Sequence, residues 1–90
     1  SGADAHIDVY EDDDIVRLVA DLPGVDKTDL TLQCDGTTLT INAHSGSREY
    51  DDRVRLPATV DEHSAEATFN NGVLQVTFDR EEESAAIDVE

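Results

Sequence analysis

Apolar and polar residues alternate in short runs along most of this chain, and turn-forming pairs separate the runs. Ile7 and Val9 alternate with His6, Asp8 and Tyr10 in residues 5–10. Val16, Leu18 and Ala20 share one face of 15–21, Leu30, Leu32 and Cys34 one face of 29–34, and Leu39 and Ile41 one face of 37–43. In residues 50–56, Tyr50, Val54 and Leu56 fall on one side and Arg53 and Arg55 on the other. A period of two sends alternate side chains to opposite faces of a strand, so each run predicts a half-buried strand. Ala67-Thr68-Phe69 and Val73 to Phe78 flank Asn70-Asn71-Gly72, and Asn-Gly between β-favouring runs is the strongest short hairpin signal. Pro23-Gly24 predicts a type II turn and Asp35-Gly36 a second hairpin turn. Pro57 ends its strand because it has no N–H to donate.

Residues 44–49 read as a short loop and 58–64 as an acidic connection. Glu11 to Asp14 is a solvated turn, since it lacks the spaced ligands and distant glutamate of a calcium loop. No segment carries a 3.6-residue apolar stripe of helix length. The expected fold is all-β, an antiparallel β-sandwich of about seven or eight strands. The domain spans residues 5–80, and residues 81–90 form an acidic C-terminal extension ending in Ile87-Asp88-Val89-Glu90.

Charge changes the picture more than any other property. The chain has 90 residues, with 22 acids against six bases, for a net charge of −16; Lys27 is the one lysine. Such a surface repels itself in low salt, and in molar salt the Debye length falls to about 3 Å and the repulsion is screened. The balance resembles that of proteins from salt-accumulating, halophilic cytoplasms. It argues against nucleic acid or an anionic membrane as partner, because both require a basic face. A single cysteine excludes an intramolecular disulfide framework and fits either a reducing cytoplasm or simply a cysteine-poor chain. No long apolar run predicts a membrane span or a signal peptide. The chain contains no methionine, so a segment upstream of Ser1 is expected.

Candidate chemistry is sparse. His6, His44 and His63 are the only imidazoles, and Ser45 beside His44 lacks a Gly-x-Ser-x-Gly nucleophile elbow. Cys34 alternates with leucines and reads as a small hydrophobe. There is no glycine-rich phosphate cradle, and Asp51-Asp52 and Glu81 to Glu83 are pairs that arise by chance in so acidic a chain. No enzyme activity, catalytic residue, metal or cofactor is expected.

Four stretches together resemble the small heat-shock proteins and their α-crystallin domain. They are Ala67-x-x-x-Asn71-Gly72-x-Leu74, Ala20-Asp21-Leu22-Pro23-Gly24-Val25 running on to Leu30, Arg53-Val54-Arg55-Leu56-Pro57, and the tail Ile87-x-Val89. With the acidic composition, the chain resembles a halophilic archaeal member. The resemblance implies an α-crystallin-type, immunoglobulin-like sandwich. It also implies an ATP-independent holdase that binds partly unfolded client proteins during stress and limits their aggregation. It places a groove for clients or for the tail between Leu30, Leu32 and Cys34 on one lip and Ala67 and Phe69 on the other, with Phe69 expected mainly in the core. Ile87 and Val89 become a latch for self-association into a homodimer or larger oligomer.

The short 44–49 segment departs from members that carry a long loop with an exchanged strand. That leaves the 50–56 strand, with Tyr50, Arg53 and Arg55, as the dimer strand of an unswapped homodimer, and it leaves a monomer open. The same shortening resembles p23-like co-chaperone domains and the accessory proteins of gas vesicles, so a dedicated co-chaperone or assembly adaptor is the alternative to a generic holdase.

Overall fold

The predicted alternation becomes seven strands in the computed structural model, which describes residues 5–81 and 87–90. They are β1 (His6–Glu11), β2 (Ile15–Asp21), β3 (Leu30–Cys34), β4 (Thr38–Ser45), β5 (Arg48–Arg55), β6 (Glu66–Asn70) and β7 (Val73–Asp79). One-turn 3-10 helices at Lys27–Asp29 and Glu62–Ser64 precede β3 and β6. All pairings are antiparallel, in one sheet of order β1-β2-β7-β6 and another of order β3-β4-β5. Residues 82–86 of the predicted extension lie outside the described residues.

Register carries the alternation across each sheet. In the four-stranded sheet Ile7, Ala20, Leu74 and Phe69 form one cross-strand row, and Val9, Leu18, Val76 and Ala67 the next. In the three-stranded sheet the rows are Leu30-Ala43-Tyr50 and Cys34-Leu39-Val54. Because the side-chain period is two, these rows all turn to the same face, and the two faces close on one core. Val16, Leu18, Ala20, Leu22, Ile41, Val60 and Leu74 are fully buried there, joined by Tyr50 and Phe78.

Two expectations need correction. The 44–49 segment is not a loop: β4 and β5 run through it and are joined by the two-residue turn Gly46-Ser47, with Gly46 at φ +59°. Glycine in the first central position supplies the positive φ of a type II′ hairpin. The second hairpin is shifted by one residue. Asp35 N–H donates to the Thr38 carbonyl at 3.3 Å, so Gly36-Thr37 are its central residues and Asp35 stands before them. The Asp35 carboxylate accepts from Thr37 N–H at 2.9 Å and Thr38 N–H at 2.8 Å, tying the turn from outside.

The 58–64 connection also does more than its acids suggested. Leu56, Ala58 and Val60 point into the core in alternation, and Val60 forms an isolated antiparallel bridge with Arg80. Arg80 closes the fold: its N–H donates to the Asp14 carbonyl at 2.8 Å and its guanidinium to the Asp12 carbonyl at 2.6 Å, with Glu11 at 3.5 Å. The Glu11–Asp14 stretch is a tight turn, as expected. Asp12 Oδ1 accepts from Asp14 N–H at 2.7 Å and Ile15 N–H at 2.8 Å.

The Asn71-Gly72 and Pro23-Gly24 turns form as predicted and touch each other. Asn71 and Gly72 have φ of +50° and +77°, the two positive values of a type I′ hairpin. Val25 N–H donates to the Leu22 carbonyl at 3.2 Å with Gly24 at φ +79°, a type II turn. Leu22 N–H donates to the Gly72 carbonyl at 2.6 Å. A Cβ on Gly72 would lie 3.1 Å from the Leu22 carbonyl oxygen and 3.2 Å from the Pro23 Cα, so the close approach itself requires glycine. Ser45 donates its hydroxyl to the Gly24 carbonyl at 2.9 Å, which draws the β4–β5 hairpin to the same end.

Candidate functional site

β6 is an edge of one sheet and β3 an edge of the other, so one side of the sandwich stays open between them. The inward rows end there. Leu30, Leu32 and Cys34 are half-buried along β3, Phe69 is half-buried on β6, and Ala67 is exposed. Packed between neighbours on both sides, these side chains would be core; at the edges they line a groove.

The groove has two chambers. The larger, about 460 Å³, is bounded by Leu30, Leu32, Ala67, Phe69 and Leu74, with Lys27 and Asn70 at its end. The smaller, about 160 Å³, is bounded by Leu32, Cys34, Ala65 and Ala67 over the core residues Leu39, Val76 and Phe78, with Glu62 beside it. Leu32 and Ala67 belong to both and form the waist between them. All five residues assigned to the groove from the sequence therefore lie on one continuous apolar cleft. Phe69 both packs against the core and faces the cleft. Sequence reasoning missed Leu74, Lys27 and Glu62; Leu74 is the cross-strand partner of Phe69, and that register was the available signal.

Burial pushes the Cys34 thiol above its ordinary 9.0, outweighing the Gly36 N–H that donates to its Sγ at 3.4 Å, and nearby Asp35 and Glu62 push the same way. A protonated, half-buried thiol in an apolar cleft serves as a small hydrophobe, not a nucleophile. The histidines are spread apart: His6 contacts Asp8 at 3.3 Å, His44 contacts Asp29 at 3.3 Å, and His63 lies 3.6 Å from Glu62. Among the described residues no three His, Cys, Asp or Glu side chains are placed to hold a metal ion, and no helix is long and apolar enough to cross a membrane.

Ile87 and Val89 are 87% and 94% exposed, so within a single chain neither side chain is seated in the groove. Of the residues assigned to a dimer strand, Tyr50 is taken up by the core, while Arg53 and Arg55 stand on the surface of β5.

A family model described as the HSP20-like domain found in ArsA matches residues 13–78. The chain belongs to the small heat-shock protein family. That family consists of non-enzymatic chaperones. Heat shock protein 16 of Schizosaccharomyces pombe is 32% identical over 96 residues, an alignment covering 87% of this chain and 67% of that protein. An 18 kDa heat shock protein of Clostridium acetobutylicum is 33% identical over 89 residues, covering 80% of this chain and 59% of that protein. The structure of heat shock protein 16.0 from S. pombe superposes with a TM-score of 0.80 at 28% identity, covering 99% of this chain and 77% of that one. The chain thus spans about two thirds of the length of these curated relatives. The fold is the α-crystallin-type sandwich of the family.

Proposed function

We propose that this chain is the binding domain of an ATP-independent holdase that captures partly unfolded client proteins and limits their aggregation. The observation that carries this reading is the two-chambered apolar cleft between β3 and β6, with an Ile-x-Val tail left outside it. Side chains at i and i+2 of an extended segment point the same way, so Ile87 and Val89 of a neighbouring copy can enter the two chambers together. Burying both contributes roughly 3–5 kcal/mol before the cost of ordering the tail. That makes a weak, reversible latch, which an exposed apolar stretch of a client displaces. The 81–90 segment is the tether of this latch, and self-association through it builds oligomers.

The high-salt cytoplasm is part of the same proposal. It is supported by the net charge of −16 and by one lysine among the bases. Some relatives carry names that place them in mitochondria or chloroplasts, so location is chosen here on charge and cysteine content alone. A second reading has its own support. The matching family model describes a domain found within a larger protein, and the two-residue β4–β5 turn is too short to carry an exchanged strand. A dedicated co-chaperone or assembly adaptor, p23-like or of the gas-vesicle kind, fits both facts.

One experiment separates the two. Heat-induced aggregation of an unrelated client is followed by light scattering in molar potassium chloride, without ATP. It is run with the intact protein and with Ile87→Ala/Val89→Ala. The holdase reading expects protection at or below equimolar ratio, altered by the double substitution. No protection of any unrelated client removes the holdase reading and favours the adaptor.

A further inference from the structure

The two ends of the β3–β6 cleft carry opposite charges. Leu30 and Phe69 share the larger chamber, and Cys34 and Ala65 share the smaller one, so β3 and β6 run in opposite directions along the cleft. Each strand is entered from a one-turn 3-10 helix. The turn before β3 therefore lies at the larger chamber, where Lys27 borders it. The turn before β6 lies at the smaller chamber, where Glu62 borders it.

Lys27 is the one lysine among six bases, in a chain with 22 acids. Its side chain is exposed. Asp26 and Asp29 are close to it in sequence, yet it makes no ion pair among the described residues; Asp29 contacts His44 instead, at 3.3 Å. Glu62 lies 3.6 Å from the exposed His63.

The tail is charged unevenly as well. Glu90 directly follows Val89, whereas Ala85-Ala86 precede Ile87 and the nearest acid on that side is Glu83, four residues away. Asp88 turns to the face opposite Ile87 and Val89, away from the cleft floor, and sits between the chambers in either direction. The chambers share Leu32, so their centres lie two strand residues apart, about 7 Å. That is the step from Ile87 to Val89, so a segment filling both chambers runs along the cleft and has only two directions. Ile87 and Val89 differ by one methylene, and chamber size discriminates weakly between those directions. Charge discriminates at both ends. With Val89 in the larger chamber, Glu90 leaves the cleft beside Lys27, and Glu62 meets Ala85-Ala86. Reversed, Glu90 leaves beside Glu62, and Lys27 meets the alanines.

We propose that Lys27 gives the cleft a direction: the tail of a second copy enters with Val89 in the larger chamber and Ile87 in the smaller, and Glu90 pairs with Lys27 at the rim. This rests on the latch described under the proposed function. Lys27 acts there as a specificity residue, selecting an acid after the second apolar side chain.

The test uses an amide-capped, fluorescein-labelled peptide of residues 84–90 and the full chain carrying Ile87→Ala/Val89→Ala, so that no tail of its own competes. Binding is read by anisotropy at pH 8, above the ordinary imidazole range of about 6.5. Potassium chloride is held at the lowest concentration that keeps a cooperative circular dichroism melt, where screening hides charge least. Lys27→Glu should weaken binding roughly two- to tenfold, and Lys27→Gln should weaken it less. A Glu90→Lys peptide should bind the Lys27→Glu protein better than the unaltered peptide does, and the four combinations should show coupling in a double-mutant cycle. Direction is read in a Cys34→Ser background, with the peptide lengthened by one cysteine after Glu90. Under mild oxidation it should cross-link to Asn70→Cys, at the Lys27 end, in preference to Ala65→Cys, at the Glu62 end. Adding Lys27→Glu should remove that preference. A peptide that binds with no coupling between positions 27 and 90, or that cross-links at 65 in preference to 70, overturns this proposal and leaves the latch standing. A peptide that does not bind at all overturns the latch, and the direction with it.

Discussion

The sandwich leaves two kinds of edge open, and the two differ in chemistry. At the β3–β6 cleft, apolar side chains line the space between the layers: Leu30, Leu32, Cys34, Ala67 and Phe69. At β5, the inward side chains Tyr50 and Val54 pack against the core, and what remains outside is a row of charges with a row of backbone groups. Apolar burial is non-directional and tolerates many side chains, whereas a row of charges discriminates by sign and position. The fold thus carries an apolar cleft and a charged edge on different sides of the same small core.

The most severe way to break the comparison is to remove what both sites share. Leu18 is fully buried between the layers, and Leu18→Ala should cost about 2–5 kcal/mol. Total stabilities are about 5–15 kcal/mol, so denaturant titration in molar salt should show a large drop in midpoint.

Next in size are the turns at the end where the two signature stretches meet. Gly72→Ala must hold alanine at φ +77° against the Leu22 carbonyl and should cost roughly 1–3 kcal/mol. Gly46→Ala faces open space and carries the backbone term alone, so its melting temperature should fall less. Equal losses at the two glycines would show that the contact between turns contributes nothing.

Salt sharpens the comparison with a smaller effect of distinctive sign. Neutralising the edge row, with Glu49→Gln, Asp51→Asn, Arg53→Gln and Arg55→Gln, should shift the melting temperature slightly in low salt, and the gap to wild type should narrow as potassium chloride rises and screens the charges. Occupancy of the apolar cleft by a synthetic Ile-Asp-Val peptide should show no such loss. Parallel salt responses, read by fluorescence anisotropy and thermal melts, would erase the distinction.

The smallest effect concerns acid. Backbone N–H donors hold the carboxyls of Asp12, from Asp14 and Ile15, and of Asp35, from Thr37 and Thr38, below the ordinary 3.8. A carboxyl lowered in the folded state adds stability above its unfolded value and loses it as pH falls through the folded one. The slight stability difference between wild type and Asp35→Ala should therefore be present at neutral pH and fade below 3.8. A difference that persists unchanged into strong acid would assign it to turn shape instead of charge.

Much of this was legible in the sequence because period-two burial and turn chemistry are local. The alternation through Val16, Leu18 and Ala20 and the positive φ of Asn71 and Gly72 required no knowledge of the rest of the chain. The inward faces of β3 and β6 followed the same alternation, because edge strands keep it as central ones do, whereas setting those faces across a cleft from each other came from the family resemblance. What was not legible depended on partners distant in sequence. Val60 enters the core although acids follow it, and the alternation of Leu56, Ala58 and Val60 was hidden by Pro57 and by the charge around it. The hairpin at Gly36 slipped by one because Asp-Gly suggested a central pair, whereas the Asp35 carboxylate preferred to cap the turn. Residues 44–49 looked polar enough for a loop, yet Ser45 and Arg48 pair directly across Gly46-Ser47.

Arg80, pinned to the carbonyls of Asp12 and Asp14, fixes the point from which the chain leaves the sandwich. Seven peptide steps separate it from Ile87, and a fully stretched chain of that length spans at most about 25 Å. The tether is therefore a ruler. Any cleft reached by this tail must open within that radius of Arg80, whatever the neighbour's orientation. On the proposed latch, that span bounds the distance between one copy's Arg80 and the cleft its tail enters on a neighbour.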